Sequence, residues 1–98
     1  MKCRVDYIST FHIDIKSIQA FLADFPNKAA RIISKTDKAL LHLEEMPEMY
    51  PVYQIIPEFR FIVIEDYLVF YKYRENERLI EVHRLLYGGM DIPSHMQS

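Results

Sequence analysis

Ninety-eight residues, 50% apolar and 27% charged, are enough for one hydrophobic core and not for two. Cys3 is the only cysteine, which excludes an intrachain disulfide. No run approaches the roughly 18 apolar residues of a membrane span or the roughly 7–15 of a secretory leader, so a reducing cytoplasm is expected. Twelve Lys+Arg stand against 14 Asp+Glu, and the chain after Tyr50 carries five positive and seven negative residues, a mildly acidic balance that argues against broad phosphate-driven binding of nucleic acid.

Residues Lys2–Ile8 alternate, with Cys3, Val5 and Tyr7 on one parity, and predict a first strand. Ser9 or Thr10 can cap a following helix, because a hydroxyl oxygen there accepts a bond from an orphan amide of the first turn. Phe11, Ile15, Ile18, Leu22 and Phe25 then recur at helical steps, and Asp14 near the start suits the positive end of the helix dipole. Pro26-Asn27 breaks the chain. Ala29, Ile33, Thr36, Leu40 and Leu43 repeat the stepping, so two helices joined by a short connection predict an antiparallel hairpin. Met46-Pro47 ends the second helix, since proline disfavours helical geometry in the residue before it. Pro51 and Pro57 flank Val52–Ile56, read as a loop plus a short edge strand.

The runs Phe59–Glu65, Leu68–Arg74 and Leu79–Tyr87 are rich in β-branched and aromatic residues and predict three strands ending at a Gly88-Gly89 turn. The fold class is therefore α+β. One domain over residues 1–98 has an antiparallel sheet and a helical hairpin packed on one face. The other sheet face, or the Gly88-Gly89 rim, is left for function.

No Gly-rich phosphate loop, Cys-x-x-Cys or His-x-x-x-His occurs, and His12, His42, His83 and His95 are scattered, so neither a metal nor a cofactor is expected. Arg60 shares strand parity with Ile62 and Ile64, and Arg84 with Ile80, Val82 and Leu86. An arginine on such a face must be paired or reach a rim. Either could hold a phosphate or carboxylate of a partner, or form a structural pair with Glu65, Asp66 or Glu81. His83, Leu85 and Tyr87 take the opposite parity, so a histidine and a tyrosine could present together on the exposed face or form a partly buried pair beside Lys72 or Tyr73. Tyr67, Val69, Tyr71 and Tyr73 form a stripe that is either core or a groove for a partner helix.

In order and spacing the chain resembles the RelE/ParE superfamily of bacterial toxins from type II toxin–antitoxin operons over nearly all its length. Tyr7-Ile8-Ser9 with Asp14-Ile15 and Ile18 looks like that family's first strand and helix, and Met46-Pro47 like the end of its hairpin. Arg60, Asp66-Tyr67-Leu68-Val69-Phe70-Tyr71 and Arg84-Leu85-Leu86-Tyr87-Gly88-Gly89-Met90-Asp91-Ile92 are similar to its later strands and terminus. The mRNA-cutting branch has an arginine where this chain has Leu68, and paired lysines on the preceding strand where Phe59 and Phe61 stand. Met90-Asp91 followed by His95-Met96 is similar to ParE chains.

The resemblance implies a growth-inhibiting toxin neutralised by a cognate antitoxin that covers Tyr67, Val69, Tyr71 and Tyr73, in a toxin–antitoxin heterotetramer or with the toxin as a homodimer. It implies DNA gyrase as the target, bound through Arg60, Arg84, Tyr87, Met90, Asp91 and His95. The alternative is a ribosome-dependent endoribonuclease acting on mRNA, with His83, Arg84 and Tyr87 as its catalytic group. A third is an inert member that only pairs with its antitoxin.

Overall fold

The computed structural model describes residues 2–96. The chain runs as β1 (Arg4–Tyr7), α1 (Ser9–Phe21), α2 (Pro26–Leu43), β2 (Arg60–Ile64), β3 (Tyr67–Arg74), a single 3-10 turn at Glu75–Glu77, β4 (Leu79–Tyr87) and a short α3 (Ile92–Met96). The four strands lie in the order β1-β4-β3-β2. β2, β3 and β4 are antiparallel neighbours, as expected for runs joined by short loops. β1 joins β4 in parallel, Arg4 opposite Leu79 through Tyr7 opposite Val82. The sheet is thus mixed rather than purely antiparallel, because β1 leaves through a helical pair and is not part of the meander.

Local details depart from the expected signals. Ile8 rather than Ser9 or Thr10 occupies the cap of α1 and makes no side-chain capping bond; the Thr10 hydroxyl instead donates to the His83 carbonyl at 2.7 Å. Pro26 opens α2 rather than only ending α1, since its missing amide is no loss at the first helical position. Ile32, not Ile33, is the innermost isoleucine of α2, and Phe25 is 64% exposed. The expected strand near Val52–Ile56 reduces to one bridge, Val52 opposite Arg60. Glu65 takes a left-handed conformation (φ 54°) in the tight β2–β3 turn.

The main core lies between the helical hairpin and one sheet face. Phe11, Ile18 and Leu22 from the α1 side and Ile32, Leu40 and Leu43 from α2 meet Ile62, Val69, Tyr71, Ile80, Val82 and Leu85. The opposite face is not bare. Phe59, Phe70, Leu86 and Ile92 bury one another there, with Tyr53, Phe61, Leu68 and Met90 packed around them. The connection before β2 and the C-terminal α3 therefore cover much of the face that the sequence left open.

Pairing shifts between β3 and β4: Phe70 faces Arg84 while Tyr71 faces Val82, so His83 is an extra residue on β4. Such a bulge reverses strand parity beyond it. Val82 and Leu85 consequently share the main core, while Leu86 joins the cluster on the other face.

Candidate functional site

β1 ends at Tyr7, opposite Val82, so the second half of β4 is paired with β3 on one side and has no strand on the other. An unpaired edge of this kind must be satisfied otherwise or left to a partner. Here α1 supplies the substitutes. Thr10 takes the His83 carbonyl, and the carboxylate of Asp14 accepts the Leu85 amide at 2.9 Å. Asp14 is buried, 7% exposed. It is compensated by Arg84, whose Nε and second terminal nitrogen donate to its two oxygens at 2.8 and 3.0 Å. A two-pronged guanidinium–carboxylate pair holds both planes in register. The remaining terminal nitrogen of Arg84 donates to the carbonyl of His95 on α3. One side chain thus ties α1, β4 and the tail together.

Beside this clasp opens a cleft of about 710 Å³. Ile18 and Phe21 of α1 and Leu22 at its C-cap form one wall. Tyr67, Leu85 and Tyr87 form the floor, and Met90 and His95 lie along the tail side. Phe21 is 80% exposed and Tyr87 47%, so two large rings stand at the mouth. The charges at the cleft are paired: Arg84 with Asp14, and Lys28 with Asp66 at 3.3 Å. An apolar cavity of this volume with internally matched charge suits the side chains of a macromolecular partner better than a free anion.

Gly88 and Gly89 shape the rim through close approach. A Cβ on Gly89 would fall 2.4 Å from Cε2 of Tyr87, whose ring lies over it, and one on Gly88 would press on the Asp66 carbonyl at 3.3 Å. The Tyr87 ring also meets Tyr67 edge-on at 5.8 Å.

Of the expected target-binding residues, Arg84, Tyr87, Met90 and His95 do line one cleft. Asp91 lies just outside, exposed, accepting a bond from the Ser94 hydroxyl at 2.7 Å. Arg60 lies elsewhere. Its guanidinium donates to the carbonyls of Tyr50 and Glu48 at 2.7 and 3.3 Å and pairs with the Glu48 carboxylate, so it clamps the connection before β2. Its partner is none of the carboxylates that parity suggested.

His83 is separated from Tyr87 by the bulge. Its ring packs edge-on against Phe59 at 5.2 Å on the opposite face, with Nε2 buried and 3.5 Å from Glu81. Burial lowers the His83 pKa, and Lys72 and Arg74 push the same way against Glu81. His83 and Tyr87 therefore do not present together on one exposed face, and His83 sits partly buried near Lys72 without Tyr87.

The stripe Tyr67, Val69, Tyr71 and Tyr73, expected as the antitoxin surface, is core. Tyr67 is 5% exposed, Val69 and Tyr71 are fully buried beneath the helices, and Tyr73 is packed at the margin. Only Tyr67 reaches the cleft. Asp14 escaped sequence reasoning because it was read as a dipole partner. Its spacing from Phe11 and Ile18, three and four residues, places it on the buried stripe and was the available signal. Among the described residues no group of His, Cys, Asp and Glu could hold a metal ion, and no helix is long and apolar enough to cross a membrane.

A helical hairpin on one face of a four-stranded mixed sheet, with a clasped tail beside an edge cleft, defines a class of small α+β domains. The family described as the ParE toxin of the type II toxin–antitoxin system parDE matches residues 6–92, and the chain belongs to it. The fold is similar to a chain of the chromosomal ParDE toxin–antitoxin system from P. aeruginosa (12% identity, TM-score 0.71, 88% of this chain and 96% of that one). It is also similar to a chain of the RelBE2 toxin–antitoxin complex from Mycobacterium tuberculosis (13% identity, TM-score 0.64, 89% and 99%). No curated protein matches the sequence.

Proposed function

We propose that this toxin inhibits growth by binding a protein target, DNA gyrase, through the cleft and tail formed by Arg84, Tyr87, Met90 and His95, and that a cognate antitoxin neutralises it in the cytoplasm. The observation that carries this reading is the location of His83. Of the three side chains that the nuclease reading takes as its catalytic group, His83 packs against Phe59 on the opposite face and does not line the cleft that holds Arg84 and Tyr87. Each of the three guanidinium nitrogens of Arg84 already donates one bond, to Asp14 or to the His95 carbonyl, which suits a rigid binding surface better than stabilisation of a developing phosphate charge. Asp91 and its neighbours extend the same surface. The two solved structures named above come from a toxin–antitoxin system and a toxin–antitoxin complex, which supports an antitoxin as the physiological partner.

The ribosome-dependent nuclease stands second, on the observation that Arg84 and Tyr87 share a cleft. Purified protein assayed against gyrase supercoiling and, in parallel, against mRNA in a translating extract separates the two. The expected outcome is blocked supercoiling with intact mRNA. Codon-positioned mRNA cuts with unaffected gyrase overturn the gyrase reading.

A further inference from the structure

We propose that Asp14 is the positioning residue of the working surface: its carboxylate replaces the strand missing beside β4 and, through Arg84, fixes where the C-terminal tail sits. This rests on the reading that the cleft and tail engage the target. Asp14 itself is buried at the foot of the cleft and reaches a partner only through Arg84.

Three observations converge on it. The Leu85 amide, which a neighbouring strand would satisfy, is satisfied by Asp14. The same carboxylate takes two prongs of the Arg84 guanidinium, which sets the plane of that group. The third prong, thereby aimed across the sheet edge, holds the carbonyl of His95 and so the end of α3. α3 has only five residues; its Ile92 is buried in the small cluster, and its Met96, like Met90 just before the helix, packs against that cluster. An isolated helix this short has no stability of its own. The side chains facing a partner, Met90 and His95, are therefore placed by contacts that begin at Asp14.

The test uses methyl-labelled protein and three variants. Asp14→Asn keeps the shape but removes the charge that orients the guanidinium. Arg84→Lys keeps a charge but cannot reach acceptors on two elements. Thr10→Val removes another bond to the same edge outside the Asp14–Arg84 chain, and controls for general loosening. In the first two, the slowly exchanging Arg84 Nε–H signal of the wild type disappears or is absent, and the Ile92 and Met90 methyl signals shift toward those of an undocked tail. In Thr10→Val they stay in place. Affinity for gyrase falls about tenfold in Asp14→Asn, typical of substitutions that act without touching the ligand, and no further in the double variant with Arg84→Lys. Undisturbed Ile92 and Met90 methyls in either variant, or the same disturbance in Thr10→Val, overturn the proposal. Should Asp14→Asn fail to fold, Arg84→Lys decides alone. A wild-type chain that ignores gyrase refutes the target reading and leaves the methyl result to judge Asp14.

Discussion

Tyr71 shows how one side chain can serve both core and loop. Its ring is fully buried under the hairpin, and its hydroxyl emerges to donate to the Pro47 carbonyl at 2.9 Å. Burial pushes the phenol up to about 12, so it remains a donor at any ordinary pH. Tyr71→Phe keeps the ring and leaves that carbonyl unpaired, which costs about 1–2 kcal/mol. A urea titration should show a lower midpoint with an unchanged slope. Gly89→Ala tests a different consequence. The new methyl collides with the Tyr87 ring and must turn it out of the cleft mouth. The expected result is weaker target binding with little change in Tm, because Tyr87 is already half exposed. Unchanged binding would show that this ring takes no part in recognition.

At the scale of elements, α2 is tied to the β2–β3 turn by Glu65, which receives Arg31 at 2.6 Å and Lys35 at 3.0 Å. Hydrogen bonds from those two cations hold the Glu65 carboxyl at about 2, against an ordinary 4.5. A depressed carboxyl stabilises the fold above its unfolded pKa, and that contribution disappears as pH falls through the folded value. Glu65→Gln should therefore melt lower than wild type at pH 7, with the two curves converging near pH 2. The difference should also shrink in high salt, since the pair is solvent-facing. A gap independent of pH would assign the effect to the strained turn instead. Helices, strands and their order were legible because each segment has an apolar period that only one backbone geometry can bury. The site was legible only in part. Strand parity put Arg84 and Tyr87 on opposite faces, although both reach the cleft at the sheet edge, and it grouped His83 with Tyr87 because one bulged residue reverses every side chain beyond it. The aromatic stripe was ambiguous for a related reason: alternation reveals which side chains share a face but not which face the helices cover. Asp14 was legible only as a helix-dipole partner because its compensating arginine lies seventy residues away in sequence.

Across the whole molecule, the sheet separates two apolar clusters of unequal size. The larger joins both helices of the hairpin to all four strands, whereas the smaller consists of Phe59, Phe70, Leu86 and Ile92 beneath the tail and the β2-preceding connection. Cooperativity should follow this division, with the small cluster opening at lower free energy than the main one. Ile32 is fully buried at the centre of the larger cluster, and Ile92 is 6% exposed at the edge of the smaller. The same truncation at each compares the two. Ile32→Ala should cost about 4 kcal/mol, because close-packed neighbours on several elements cannot collapse into the space. Ile92→Ala should cost about 2 kcal/mol, because a five-residue helix can shift to fill it. Denaturant titration measures both. Hydrogen exchange on the wild type adds the order of events: amides around Val69 and Tyr71 should exchange only with global unfolding, and those of α3 well before it. Equal costs, or equal protection in α3 and β3, would mean that the tail belongs to the main cooperative unit and is held by more than Ile92 and the Arg84 clasp.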